Sequence, residues 1–390
     1  MKLARLTFAL LAFLAVTPVA VAEDPARPVV GGLTAALKPY VDRGVLAGAV
    51  VLVADRERVL TAEAVGYADV AAKAPMKADS VFWIASQSKP ITAAALMILV
   101  DEGTVKLDDP VSNYLPEFRG LWLAAERDKD HVTLKKPARP VTLRDLLSHT
   151  SGLPFRSAAE EPTLDGIPLA AATRTYAMTP LETEPGVKYQ YSNAGINTAG
   201  RVIEVVSKMP YEDFLDKRLF APLGMTDTTF WPNESQVKRL AKAYKPDAAK
   251  AGLTATPISQ LYYPLGDHAR RFPMPAGGLF STAADVGRFC QMALNGGTLN
   301  GKRVLSEAAV REMTTRQTPA ALKDSYGLGW AVGGDGFGHG GALSTDMWVN
   351  PSRGLVYVYL VQHAGFPGDG GAARGAFRKA ADASFGAPAK

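Results

Sequence analysis

The chain has a single cysteine, Cys290. No intrachain disulfide can form, and no cluster of thiolates can bind zinc. The five histidines are scattered and no H-E-x-x-H occurs, so a helix-borne metalloprotease site is unsupported. No G-x-S-x-G is present, which removes the nucleophile elbow of an α/β-hydrolase. Neither a G-x-x-x-x-G-K-[ST] loop nor a G-x-G-x-x-G opening a helix after a strand is found. Lys/Arg runs never exceed two, and the net charge is only +5 over 390 residues. That argues against a nucleic-acid partner. Beyond the first 22 residues no apolar run approaches the roughly 18 needed to cross a bilayer. There is no internal repeat and no low-complexity linker.

What remains is ordinary globular composition, 47% apolar and 21% charged, with ample material for a large core. The N-terminus reads as an export leader: Lys2 and Arg5, an apolar run from Leu6 to Val16, then small residues in Ala20-Val21-Ala22 before acidic Glu23-Asp24. Cleavage is expected after Ala22, giving a product free of a stable membrane anchor and located in the periplasm or outside the cell. Cys290 sits on an apolar helix face, Val286 to Met292, and reads as a buried structural thiol.

Length alone admits two or three domains, but the patterning favours one. Leu33, Leu37, Tyr40 and Val41 have helical spacing, with Pro39 bending or shortening that helix. Ala47–Ala54 and Val59–Ala68 read as strands joined at Asp55–Arg58. Ala93–Val100 is a continuous apolar helix stopped near Gly103. Thr142 caps a helix from Leu143. Ala194–Ser207, Tyr211–Phe220 and about 283–294 are further helices. Leu328–Val332, Thr345–Val349 and Leu355–Gln362 are strand-like, and Ala372–Phe385 closes the chain as a helix. Strands at both ends with helices between imply one antiparallel sheet built from both termini, carrying a mostly helical insertion. The expected catalytic unit is 23–385, with its α/β part at about 30–85 and 275–385 and its helical part at about 86–274.

Three short motifs carry chemistry. Ser86-Gln87-Ser88-Lys89 is an S-x-x-K. A spacing of three puts both functional groups on one side of a helical turn. The serine needs a base, and burial against the apolar helix can depress the lysine enough to supply one. Pro90 disfavours helix at Lys89, so the turn belongs at the very start, 3₁₀-like. A second copy, Ser235–Lys238, lies among charged residues and reads as a solvated helix start without a role. Tyr191-Ser192-Asn193 offers a phenol to shuttle a proton and an amide to hold a carbonyl. His339-Gly340-Gly341-Ala342 enters a strand-rich region where glycines let a substrate backbone approach. Each piece alone has a plainer reading: a packed aromatic, a glycine-rich turn, a structural histidine.

In this order the motifs resemble the serine β-lactamase-related hydrolases, which include class C β-lactamases, D-Ala-D-Ala carboxypeptidases, D-aminopeptidases and β-lactamase-like esterases. Leu146–Leu153 and Ala276–Thr282 look like the same family. The likeness spans roughly 32–385. It implies a two-region α/β (α+β) fold like that of β-lactamases and penicillin-binding proteins. It also implies an acyl-enzyme on Ser86, with Lys89 and Tyr191 as base, an oxyanion hole from the backbone N–H groups of Ser86 and Ala342, and substrate contacts from Asn193, His339, Gly340 and Gly341. No cofactor or metal is implied, and oligomeric state is not legible.

The third motif departs from the class C pattern. His339 stands where those enzymes have lysine, and Gly340 replaces a hydroxyl residue. Both changes weaken the grip on a carboxylate near pH 7. An esterase or small-amide hydrolase is therefore the first expectation. A D-amino-acid peptidase, a β-lactamase, and a non-catalytic ligand-binding or sensory module are the alternatives. Phe118–Arg139, Tyr262, Tyr263 and His268 are left as candidate cleft residues.

Overall fold

The structure, a computed structural model, describes residues 32–385. The export leader read over 1–22 lies outside the described residues. Helix α1 (Leu33–Asp42) retains Pro39 and leads into the hairpin β1 (Gly48–Ala54) and β2 (Val59–Asp69), which the short β3 (Ala74–Pro75) extends. β4 (Phe82–Trp83) is followed by a 3₁₀ turn over Ala85–Gln87 and then α2 (Ser88–Asp101). The expected 3₁₀ start before Pro90 is present.

The middle of the chain is helical, but less uniformly than expected. It contains an outlying hairpin, β5 (Leu123–Arg127) and β6 (Val132–Lys135), then α3 (Leu143–Leu147), α4 (Leu169–Met178) and α5 (Asn193–Ser207). Thr142 caps α3 in a reciprocal box with Asp145. The stretch read as one helix over Tyr211–Phe220 is α6 (Tyr211–Leu215), a wider π turn over Asp216–Phe220, and the single turn α7 (Ala221–Leu223). α8 (Glu234–Lys238) carries the second S-x-x-K with Ser235 and Lys238 in solvent, as expected. A second hairpin, β7 (Ala243–Pro246) and β8 (Leu253–Thr256), follows, and β9 (Phe280–Ser281) pairs with β4.

The C-terminal part holds α9 (Ala283–Leu294), a two-residue ladder of β10 (Thr298–Leu299) with β11 (Lys302–Arg303), and α10 (Glu307–Thr314). It continues with β12 (Ala331–Gly333), β13 (Gly336–Gly340), β14 (Asp346–Asn350), β15 (Leu355–Leu360) and α11 (Ala373–Phe385). Only the end of Leu328–Val332 is strand. In His339–Ala342, where a glycine-rich turn was one reading, His339 and Gly340 end β13 and the chain turns at Ala342–Leu343.

Seven strands form one sheet in the order β12-β13-β14-β15-β1-β2-β3. Every pair is antiparallel, and β1 joins the two chain ends by pairing with β15 in the register Val50 to Leu360. β1 is buried along its whole length. Ala49, Val51 and Val53 pack with Leu33, Leu37 and Phe377 of α1 and α11. Val50, Leu52 and Ala54 face Val286, Phe289 and Cys290 of α9. The sheet is thus covered on both sides, which explains a strand without polar alternation. Cys290 is fully buried and burial pushes its thiol up, as an inert core residue.

Candidate active site

Ser86 occupies an exceptional position in its segment. From Val81 to Leu99 every residue is buried except Ser86. The turn that presents it has a left-handed residue, Ala85, at φ 46°, a conformation costly for a side chain bearing Cβ. Three ties hold that turn. Ser88 Oγ donates to Ala85 O at 2.7 Å, Gln87 accepts through its amide oxygen from the N–H groups of Asp346 and Met347 at 3.1 and 3.2 Å, and the Leu279 N–H donates to Ser88 Oγ. The strain is therefore held from α2, β14 and the segment before β9 together.

Lys89 is entirely buried, and desolvation alone lowers its amine well below the ordinary lysine value. Its Nζ lies 3.1 Å from Ser86 Oγ, 2.8 Å from Asn193 Oδ1 and 2.7 Å from Ala276 O. The last two are obligate acceptors. A neutral amine has two N–H bonds and one lone pair. In its neutral form, donating to Asn193 and Ala276 would direct the lone pair at the Ser86 hydroxyl, as a base requires.

Asn193 opens α5. Ser192 is the cap, accepting from Gly195 N–H at 2.9 Å, and its own N–H donates to His149 Nδ1 at 3.1 Å. Tyr191, just before the cap, lies under the Lys89 amine, 4.5 Å from Nζ to ring centroid. Burial raises its phenol, and contact with the Ser86 side chain counteracts this in part.

His149 was not singled out by sequence except as one letter of a family-like stretch. It is buried, left-handed at φ 59°, and its ring centroid is 4.5 Å from Tyr191 and 4.8 Å from Tyr326. Because Nδ1 accepts from Ser192, the proton sits on Nε2. Desolvation, then the neighbouring Lys89, lower its pKa well below the ordinary value, so it packs as a neutral ring behind the phenol.

The third motif forms β13 and the turn after it. His339 is buried next to the lining residue Gly340 and does not itself line the cavity. Its Nδ1 donates to Gly340 O at 2.6 Å, so its Nε2 accepts from the Tyr326 hydroxyl at 2.9 Å. It is buried, and desolvation pushes it down to about 3. The imidazole is neutral and has both nitrogens engaged. With these two bonds it supports Gly340 and is held by Tyr326, 13 residues earlier in the chain, with its ring centroid 6.2 Å from that of Tyr191.

Gly340, Gly341 and Ala342 do line the cavity with Ser86, Tyr191 and Asn193. Among the described residues the Ala342 N–H donates to no carbonyl. Ser86 stands in the first turn of its helical segment, where N–H groups lack an intrahelical partner. Both expected oxyanion donors therefore border one space, of about 310 Å³.

The remaining walls are Trp83, Ala85, Phe155, Gln260, Met274, Ala276 and Gly277. None is charged. Phe118–Arg139, Tyr262, Tyr263 and His268 are not among them. The first is the outlying hairpin, Tyr262 points to solvent, and His268 stacks on Trp231 at 4.7 Å. Phe155, Gln260 and Met274 sit in irregular segments that carry no periodic signal. Among the described residues no group of three or more His, Cys, Asp and Glu is placed to hold a metal ion.

Comparison with known proteins gives the family. Residues 33–382 match the Beta-lactamase family, and the chain belongs to that family of serine hydrolases. It is 33% identical over 378 residues to Protein Rv1367c of Mycobacterium tuberculosis, covering 85% of this chain and 90% of that protein. It is 33% identical to Penicillin-binding protein 4 of Amycolatopsis lactamdurans over 297 residues, 72% of each. Among solved structures, EstCE1, a hydrolase with promiscuous acyltransferase activity, superposes with a TM-score of 0.72 at 26% identity, covering 89% of this chain and 97% of that one. The fold is that of β-lactamases and penicillin-binding proteins, as the motif order implied.

Proposed function

We propose that the chain is an exported serine hydrolase that cleaves uncharged esters or small amides through an acyl-enzyme, with 23–385 as a single catalytic unit. The observation that carries this reading is the Lys89 amine, desolvated without a compensating carboxylate and aimed at Ser86. In the mechanism that follows, Ser86 Oγ attacks the substrate carbonyl and its proton passes to Lys89, with Tyr191 adjacent as a relay. The oxyanion is held by the Ser86 and Ala342 N–H groups. The C–O or C–N bond breaks and the proton goes to the leaving alcohol or amine. Water then adds to the acyl carbonyl, losing a proton to the same base, and Ser86 is released. Asn193 holds the lysine, and its place on the wall also lets it meet substrate.

Substrate charge follows from the walls. They hold no cation to fix a carboxylate, and the His339 imidazole beside them is neutral. Trp83, Phe155 and Met274 favour an apolar group. The likeness to EstCE1, a hydrolase with acyltransferase activity, supports acyl transfer as the chemistry.

A second reading, a D-amino-acid peptidase, has one observation in its favour. A neighbouring groove shares Gly340 and Gly341 and contains Arg374. That guanidinium is already paired with Asp346 at 3.0 Å, which places the reading second.

The test is hydrolysis of p-nitrophenyl butyrate and the intact mass after a fluorophosphonate probe. Wild type should turn over and gain one adduct, and Ser86→Ala should lose both. Full turnover in folded Ser86→Ala would overturn the assignment. A lasting benzylpenicillin adduct on Ser86 would move the peptidase reading to first place.

A further inference from the structure

Two walls of the cavity, Gln260 and Met274, lie on a segment without helix or strand between β8 and β9. Irregular loops of this length need side-chain ties to hold one conformation. Here the ties converge on a short stretch, Thr163 to Asp165. Leu164 N–H donates to Gln260 O at 3.2 Å, and Tyr262 N–H donates to Thr163 Oγ1, whose own proton goes to Asp165. At the other end of the loop Phe272 N–H donates to Asp165 O at 2.8 Å, and Arg271 Nε donates to Asp165 Oδ2 at 2.7 Å.

The Asp165–Arg271 pair is almost completely hidden, with side chains 1% and 2% exposed. Asp165 Oδ1 accepts from Thr163 Oγ1 at 2.6 Å, and Arg271 also donates to Leu265 O. Its guanidinium lies 5.9 Å from the ring of Phe280, which pairs across the ladder with the wall residue Trp83. Burying two charges is a poor route to stability, since packed apolar residues commonly do as well. Its particular contribution is direction: it fixes where the loop crosses.

We infer that the buried Asp165–Arg271 pair, with Thr163, is a specificity-determining clamp that sets the size of substrate the cavity accepts by fixing Gln260 and Met274. This rests on the ester-hydrolase reading above. The clamp touches none of the reacting groups, so loosening it should change which ester is preferred and leave the reactivity of Ser86 in place.

The experiment compares kcat/KM for p-nitrophenyl acetate and p-nitrophenyl octanoate in wild type, Thr163→Val, and the paired replacement Asp165→Leu with Arg271→Met. The rate of Ser86 labelling by a small fluorophosphonate is measured alongside. The octanoate-to-acetate ratio should shift at least fivefold, with labelling within about twofold of wild type. Thr163→Val keeps both charges paired and carries the test if the double variant does not fold. A ratio within twofold of wild type in a folded variant overturns the inference, as does a parallel fall in both substrates and in labelling. Absence of labelling and turnover in wild type overturns the hydrolase reading itself, and the clamp's role with it.

Discussion

The Lys89 amine meets the Asn193 side-chain oxygen at 2.8 Å across 104 residues of chain. This bond ties the start of α2 to the start of α5 and decides the direction of the lysine lone pair. The lysine is useful only while neutral. Activity should therefore fall as pH drops through its lowered ionisation, and the acid limb of kcat/KM should follow Lys89.

Lys89→Arg tests this directly. Arginine has similar reach but stays protonated at working pH and so offers no lone pair. The expected loss is about 10²- to 10⁴-fold in kcat/KM, the usual worth of a positioned base. Steady-state ester hydrolysis with circular dichroism as a fold control checks it. Retention of more than a tenth of the activity would remove Lys89 from the role of base.

Gly340 and Gly341 are adjacent, yet only one is sterically required. A Cβ on Gly341 would fall 2.6 Å from Ile84 O and 2.2 Å from Thr345 Oγ1, pressing β13 against the Ser86 turn. A Cβ on Gly340 meets nothing closer than 3.5 Å. Gly341→Ala is expected to cost at least 100-fold in kcat/KM, and Gly340→Ala less than fivefold. Equal effects would show that the third motif does not bear on the nucleophile turn.

His363 accepts from the Ala47 N–H at 3.2 Å, and burial pushes it down to about 4. The unfolded chain takes up this proton near pH 6.5. The stabilisation is then complete above pH 6.5 and is lost as pH falls toward 4. The limiting slope is about 1.4 kcal/mol per pH unit. His363→Gln keeps an acceptor but no titration. Between pH 7.5 and 5.0 the variant should lose about 2 kcal/mol less stability than wild type, read by urea unfolding. An identical loss would show that His363 titrates normally.

Much of this site was legible because its motifs are local. Ser86 and Lys89 share one turn, and the apolar run after them announced the burial that changes the lysine. Tyr191 and Asn193 flank a helix cap. The two-ended sheet followed from where the β-branched runs lie. His149 and Tyr326 were not legible. Their meaning arises from ring contacts with residues 42 and 13 positions away, and neither carries a local pattern. The Tyr326 hydroxyl bond to His339 was not legible either, because nothing nearby in sequence announces it. The β5–β6 hairpin was missed although Asp128 accepts from the N–H groups of Asp130 and His131, a turn signal of its own.

The pairing of Val50 with Leu360 has a consequence for the order in which the molecule is made. About 300 residues separate the two partners, so at about 5–20 residues per second β1 waits some tens of seconds for its neighbour. β14, which supplies the N–H groups that hold Gln87, is synthesised only shortly before. The nucleophile turn is translated early but is braced last. A nascent chain therefore carries Ser86 without the strand that sets its geometry, and competence for chemistry arrives only when the final strands dock.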